Sequence, residues 1–147
     1  MIKHKYYFLP ILLLMVFLST EVSAQEKVYT EGTVWDVSFI STKAPYFDDY
    51  LANLNNAWRK VMDAAKKEGL IVSYKILSSR KTNPDDWDLM LLVEYKNMAV
   101  FDNLSEKMEK IQNDIFGTEK SMKEAGVKRN EIREILGEKL TRELMFK

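Results

Sequence analysis

The chain has 147 residues, of which 46% are hydrophobic and 30% charged, with 22 basic and 22 acidic side chains. This composition excludes a disordered or fibrous chain, and the near-zero charge gives no electrostatic reason to expect nucleic acid or an anionic membrane as a partner. The sequence has no cysteine, and its one histidine is His4, within a predicted secretory leader. The mature protein would therefore lack cysteine and histidine catalysis and the usual zinc, copper and haem ligands.

Residues 1–24 have the pattern of a signal peptide. Two lysines precede an apolar stretch at residues 6–18, and Val22-Ser23-Ala24 fits a cleavage site before Gln25. The apolar stretch is shorter than the roughly 20 residues that a spanning helix needs. We therefore expect an exported protein with no membrane span after leader removal, and the lack of cysteine favours a bacterial periplasm or exterior. An uncleaved N-terminal anchor is the alternative.

The mature chain begins with a polar segment, residues 25–32, which we expect to be flexible, and continues as one domain over residues 33–147. Alternating apolar residues predict a strand at 33–41. Apolar residues at spacings of three and four then predict a helix over 46–68, and Gly69 is a typical C-terminal stop.

The second half of the chain is predicted in the same way. Its elements are a strand at 70–79, a turn at 82–86, a strand at 88–95, a helix at 98–116 ended by Gly117, and a last strand at 139–146. The charged segment 118–137 is predicted to form two short helices interrupted at Gly126.

This order of elements predicts the fold class. Strand, helix, strand, strand, helix, short helices and strand form the split βαβ arrangement of a ferredoxin-like α+β domain. We expect a four-stranded antiparallel sheet with helices on one face and extra short helices before the last strand.

Strand parity divides the sheet residues between two faces. The uniformly apolar set is expected under the helices: Trp35, Val37, Phe39, Val72, Tyr74, Ile76, Leu89, Leu91, Val93, Leu140, Leu144 and Phe146. The mixed set is expected on the open face: Val34, Asp36, Ser38, Ile40, Ile71, Ser73, Lys75, Leu77, Met90, Leu92, Glu94, Thr141, Glu143 and Met145. The mixed face has too many aliphatic side chains to remain in water, which predicts a two-fold homodimer through this open sheet face.

The element order, the half-apolar open face and the closing strand Gly137-Glu138-Lys139-Leu140-Thr141-Arg142-Glu143-Leu144 resemble the dimeric α/β-barrel superfamily. Its members include antibiotic-biosynthesis-type monooxygenases, EthD-like and NIPSNAP-like proteins and stress-responsive barrel proteins. The resemblance implies paired monomers and a cavity between sheet and helices in each. This chain departs from the branches that use a histidine, and segment 118–137 is additional.

The polar residues of the predicted open face are the first candidate lining of a ligand cavity: Asp36, Ser38, Ser73, Lys75, Glu94, Thr141 and Glu143. A carboxylate beside apolar walls can have a raised pKa and accept a proton. Alternatively, Lys75 pairs with a neighbouring acid and the set fixes the dimer register.

Two further groups have both a functional and a structural interpretation. Three carboxylates offer oxygen ligands for a cation, namely Asp85, Asp86 and Asp88. The structural interpretation is that these residues simply form a turn, in which aspartate is common. Four aromatic side chains either line a ligand pocket near the first helix or belong to the core: Trp35, Tyr50, Trp58 and Trp87. Residues 120–139 mix charges without aromatic residues, which is typical of a solvated helical face. We predict no metal site and no cofactor.

Three functions remain open. The first is a non-catalytic exported dimer that holds a small apolar or aromatic molecule. The second is a metal-free monooxygenase-like or isomerase-like enzyme that uses Asp36, Glu94, Tyr74 or Arg142. The third is a module that binds another envelope protein through the open sheet face.

Overall fold

The computed structural model describes residues 26–117 and 119–147, so the predicted signal peptide and Gln25 lie outside the described residues. Its strands are β1 (Tyr29–Thr42), β2 (Ser73–Ser78), β3 (Leu89–Tyr95) and β4 (Arg133–Phe146). Its helices are α1 (Phe47–Asn53), α2 (Arg59–Lys67), α3 (Leu104–Phe116) and α4 (Glu119–Ile132). A π-helical segment, Leu54–Trp58, joins α1 to α2, and a 3₁₀ turn, Met98–Phe101, precedes α3.

The four strands form one antiparallel sheet in the order β2-β3-β1-β4. The predicted hairpin is present as the β2–β3 pair, and the two longest strands, β1 and β4, lie side by side. This is the split βαβ topology, so the predicted ferredoxin-like α+β fold is confirmed.

The predicted glycine stops end their helices. Gly69 has a φ of +72°, and the backbone amides of Gly69 and Leu70 donate to the carbonyl oxygens of Lys66 and Ala65. These two bonds form a Schellman motif, which needs a left-handed residue at this position. Gly117 also ends its helix, α3, with a positive φ of +83°, but its ψ of −109° lies outside the left-handed helical region.

Several element boundaries differ from the prediction. β1 begins at Tyr29, within the segment predicted to be flexible, because its first residues pair with the end of β4. The predicted helix over 98–116 is divided by Asn103, whose φ is +61°. α4 continues through Gly126 as one helix, since a single glycine costs only about 1 kcal/mol in a helix interior, and β4 begins directly after α4.

The predicted facing of β1 is wrong. Val34 and Ile40 are fully buried under the helices, and Trp35, Val37 and Phe39 lie on the opposite, open face. The odd-numbered residues are the more apolar set, and the prediction placed them inside for that reason. Both faces of the sheet therefore carry apolar side chains, and the hydrophobicity of β1 alone could not predict which face the helices cover.

The helices cover one face of the sheet through two apolar clusters. The larger cluster joins β1, β3, α2 and α3 through Val34, Val61, Met62, Ala65, Ile71, Val93, Tyr95, Leu104 and Ile111. The smaller one joins β1, β3, α1 and the π-helical segment through Ile40, Tyr50, Leu54, Leu89 and Leu91. Ile71, predicted on the open face, belongs to the larger cluster because it precedes the paired part of β2.

The edge strand β4 extends beyond the helices. By its register Leu140 lies on the helix side of the sheet, as predicted, yet Leu140, Leu144 and Phe146 are exposed, so the expectation that helices cover them is wrong. Over residues 26–117 and 119–147, every helix is too short or too polar to cross a bilayer.

Candidate functional site: a cavity between the helices and an open sheet face

Part of the predicted polar lining comes together on the open face around Trp35. Ser73 pairs with Glu94, and Glu94 pairs with Trp35, across three adjacent strands. The Ser73 hydroxyl donates to Glu94 Oε2 at 2.5 Å, and the Lys75 ammonium lies 5.2 Å from the centre of the Trp35 ring. Thr141 donates to the backbone oxygen of Trp35 on the other side. These contacts order the middle of the face.

Glu143 lies farther along β4, where its carboxylate accepts from the Thr33 hydroxyl at 3.4 Å. Its side chain fills the space in which a Cβ on Gly32 would stand, 2.7 Å from Glu143 Oε2. Glu143 therefore belongs to the β1–β4 ribbon and is separated from the Trp35 group.

Asp36 and Ser38 lie on the other face of the sheet, so the expectation that all seven residues line one space is wrong. They pair with Val93 and Leu91, which belong to the core beneath the helices. Burial raises the pKa of the Asp36 carboxyl above its usual range, and the charge of Glu138 raises it further. The observed facing of β1 also opposes the predicted enzyme mechanism. Asp36 and Glu94 lie on opposite faces of the sheet, so they cannot act on one substrate.

The predicted cation ligands Asp86 and Asp88 instead accept hydrogen bonds from residues of the turn and of β1. The Asp86 carboxylate accepts from the backbone amide and the hydroxyl of Thr82, and these bonds lower its pKa. Asp88 is buried and accepts from the amide and hydroxyl of Thr42, with Lys81 Nζ at 3.5 Å. Within the described ranges no group of three ligand-type side chains could hold a metal ion.

A cavity of about 370 Å³ lies between the helices, on the side of α1 and α2 that faces α3 and α4. Most of its wall is apolar, with three polar side chains. The lining residues are Asn53, Ala57, Trp58, Val61, Met62, Gln112, Phe116, Ala125 and Arg129.

The π-helical segment shapes one wall of this cavity. The backbone amide of Arg59 donates to the carbonyl oxygen of Leu54, five residues earlier, which widens one turn between α1 and α2. This wide turn carries Ala57 and Trp58 and follows Asn53 directly. Single π-turns within α-helices are frequent at functional sites, and here the turn coincides with the cavity.

The Trp58 ring is held by the sheet behind it. Tyr74 of β2 packs edge-on against Trp58 with 5.2 Å between ring centres, and its hydroxyl donates to Asp63 Oδ1 at 2.6 Å. Trp58 thus presents a fixed aromatic surface to the cavity. Of the predicted aromatic set, Trp58 alone lines it: Trp87 packs on Phe39, Tyr50 is core, and Trp35 is on the open face.

Arg129 of the cavity wall has a second arginine, Arg133, as a charged neighbour four residues later, across the junction of α4 and β4. Arg133 Nη1 donates to the Tyr50 hydroxyl at 2.6 Å. Arg129 lines the cavity, and burial lowers the pKa of its guanidinium, with the charge of Arg133 lowering it further. Neither arginine forms an ion pair with a described carboxylate.

Three polar atoms here are buried without a hydrogen-bond partner among the described residues: Asn53 Oδ1, Arg129 Nε and Arg133 Nε. Asn53 and Arg129 both line the cavity, and buried polar groups are nearly always bonded, so unpaired atoms on two lining residues are unusual. The arrangement can hold a small apolar molecule beside the guanidinium of Arg129.

Sequence reasoning singled out Trp58 and missed Arg129 and Asn53. Arg129 belongs to the charged run that we interpreted as a solvated face, and Asn53 is one of several asparagines along the first helix. A usable signal exists on α4, because Ile132 packs against the smaller cluster and fixes which side of the helix faces inward. Arg129, three residues earlier, lies on that same side.

No family model matches the sequence, and no curated protein matches it. Among solved structures, the chain is similar to a dimeric ferredoxin-like protein from an uncultured marine organism, with a TM-score of 0.51 and 12% identity over 80% of this chain and 90% of that one. A dimeric protein of unknown function with a ferredoxin-like fold from Bacteroides fragilis gives a TM-score of 0.42 and 14% identity, over 78% of this chain and 98% of that one. At this identity the likeness establishes the fold.

Proposed function

We propose that the protein is an exported homodimeric domain that binds a small apolar molecule in the cavity between α1, α2, α3 and α4. The observation that carries the proposal is the cavity itself. Ligand pockets in proteins are usually clefts or cavities of about 300–1,000 Å³ that are lined mostly by apolar side chains. A space of about 370 Å³ walled by Trp58, Val61, Met62 and Phe116 has the size and surface of such a pocket.

Dimerisation through the open sheet face is supported by the side chains that β1 turns away from the helices. Trp35, Val37 and Phe39 lie on that face, together with Met90 and Leu92 of β3. Apolar patches of this kind on a small protein usually mark an interface, and a two-fold axis lets one surface complement itself. The solved marine protein of similar fold is described as dimeric, which supports a dimer for this chain without identifying the interface.

Export rests on the leader pattern of residues 1–24, and we expect Gln25 to be the first residue of the exported protein. The absence of cysteine suits a bacterial periplasm or exterior. Binding is favoured over metal-free catalysis because the carboxylates of Asp36 and Glu94 lie on opposite faces of the sheet.

The cavity is tested with a neutral dye, N-phenylnaphthylamine, whose fluorescence rises in an apolar site. The dye should bind the purified protein, and Ala57→Phe, which places a ring in the cavity, should weaken its binding by about tenfold or more, since a ring takes up a large part of the space. Ala52→Phe makes the same change at an exposed position of the same helix and should bind the dye as the unsubstituted protein does.

Equal dye binding by Ala57→Phe and Ala52→Phe would contradict the proposed site. Thermal unfolding of both variants, followed by circular dichroism, checks that a lost signal does not reflect a lost fold.

A further inference from the structure

The arginine on the cavity wall, Arg129, indicates the chemistry of the ligand. We propose that the cavity binds an amphipathic carboxylic acid, with the apolar body against Trp58 and the carboxylate on the guanidinium of Arg129. This inference rests on the proposed function and adds the charge of the ligand to it.

The first argument is the unbalanced charge. Arg133 lies close enough to Arg129 for its charge to lower the pKa of the Arg129 guanidinium, and neither arginine is paired with a carboxylate among the described side chains. Guanidinium groups remain charged in proteins, and a buried charge is costly unless it is paired. A bound anion would supply the charge that the fold leaves out.

The second argument is the set of unused hydrogen-bonding groups. Arg129 Nε is buried and unpaired among the described residues, and the guanidinium donors form a planar fork that fits a carboxylate with two parallel bonds. Arg133 directs Nη1 to the Tyr50 hydroxyl and is held in place by it. Arg129 has no such anchor among the described residues and lines the cavity wall.

Asn53 agrees with this interpretation. Its side chain lines the cavity from α1, and its Oδ1 has no donor among the described residues. Rotation of the amide by half a turn presents its NH₂ group in place of Oδ1, as a donor to a bound ligand. Most of the remaining cavity wall is apolar, which disfavours a small hydrophilic anion as the preferred ligand.

The test compares two ligands that share one apolar chain. Dodecanoate carries a carboxylate and dodecanol carries a neutral hydroxyl, and each is titrated against the dye-loaded protein. Hydrogen bonds to charged groups are worth about 1.5–3 kcal/mol, so dodecanoate should bind at least about tenfold more tightly than dodecanol. This comparison uses the unsubstituted protein and needs no variant to fold.

Arg129→Gln should remove the preference for dodecanoate and leave dodecanol binding within about twofold of its original value. Lys128→Gln makes the same change of charge on the neighbouring, exposed residue of α4 and should keep the preference. Circular dichroism confirms that both variants are folded, and Arg129→Lys, which retains the charge, should restore part of the preference.

The outcomes separate the two proposals. If dodecanol and dodecanoate displace the dye equally well, the carboxylate inference is overturned and the apolar cavity remains. If neither ligand displaces the dye and the dye itself does not bind, the cavity function fails together with the inference.

Discussion

Asp36 shows how one side chain reports which face of a strand is buried. It lies on the helix side of β1, where burial raises its pKa. The same surroundings act on Tyr95, which is 7% exposed: burial, and then the charge of Asp36, raises the pKa of its phenol to about 12. The two groups provide a test of the facing of β1 that does not depend on any ligand.

We predict that stability falls as the pH rises from 10.0, the ordinary pKa of tyrosine, towards about 12. The unfolded chain releases the phenolic proton first, so the folded state binds more protons over this window and loses stability with rising pH. Between about pH 9 and about pH 11, Tyr95→Phe should remove about 1 kcal/mol of this loss. Each pKa unit corresponds to about 1.4 kcal/mol, and only the first unit of the shift lies within this range.

The measurement is urea unfolding at about pH 9 and about pH 11. Because Tyr50 and Tyr74 also have raised pKa values, the difference between Tyr95→Phe and the unsubstituted protein isolates the Tyr95 contribution. An identical pH dependence in both proteins would place Tyr95 in water and contradict its burial beneath the helices.

At the scale of elements, the helix stop at Gly69 makes a separate prediction. Gly69→Ala should lower the free energy of unfolding by about 1–2 kcal/mol, because an L side chain in a left-handed conformation is strained. The strain arises in the backbone alone, since a Cβ at Gly69 would contact nothing within 4 Å. Urea unfolding at neutral pH with an unchanged m value measures the loss.

Gly137→Ala is the matched control, since a Cβ there also meets nothing within 4 Å and the position lies within β4 without a left-handed φ. It should not lose stability. A loss of equal size at both positions would show that chain flexibility, and not the conformation of Gly69, accounts for the effect.

The order of elements was predictable from local signals. Apolar spacing located α2 and α3, and Gly69 and Gly117 ended helices because each residue acts within its own turn. The facing of β1 was not predictable in this way. Hydrophobicity predicts which face of a strand is buried only when the other face is exposed to solvent. In β1, Trp35 and Phe39 point away from the helices although they are the larger side chains.

The cavity was beyond local signals for a different reason. It exists because the π-helical segment and α4 keep a distance between helices that no short segment of sequence encodes. Arg129 could be distinguished from its charged neighbours only once α4 was known to be one continuous helix through Gly126. Of the seven predicted lining residues, those near Trp35 share a face because β2, β3 and β4 were oriented correctly.

At the scale of the whole molecule, the two faces of the sheet differ in what covers them. The helices cover one face and are supported by it, as Tyr74 supports Trp58. The other face has no covering element among the described residues, although Leu92 lies at its centre between Val37 and Lys75. A second copy that covered this face would also stiffen the sheet on which the cavity wall rests.

We therefore predict that Leu92→Glu converts a dimer to a monomer. The change places a carboxylate at the centre of the interface once in each copy, opposite Lys75 of the same face. Burying this carboxylate and its Lys75 partner removes both charges from water at a cost of several kcal/mol for each ion, so the dissociation constant should rise by about tenfold or more. Val127→Glu, an exposed apolar residue on α4, is the matched control and should remain dimeric. Analytical ultracentrifugation across a range of concentrations measures the oligomeric state of both variants. Because Leu92 lies outside the cavity, monomeric Leu92→Glu should still bind the neutral dye. A monomer for the unsubstituted protein itself would contradict the dimer and leave the open face to a different chain.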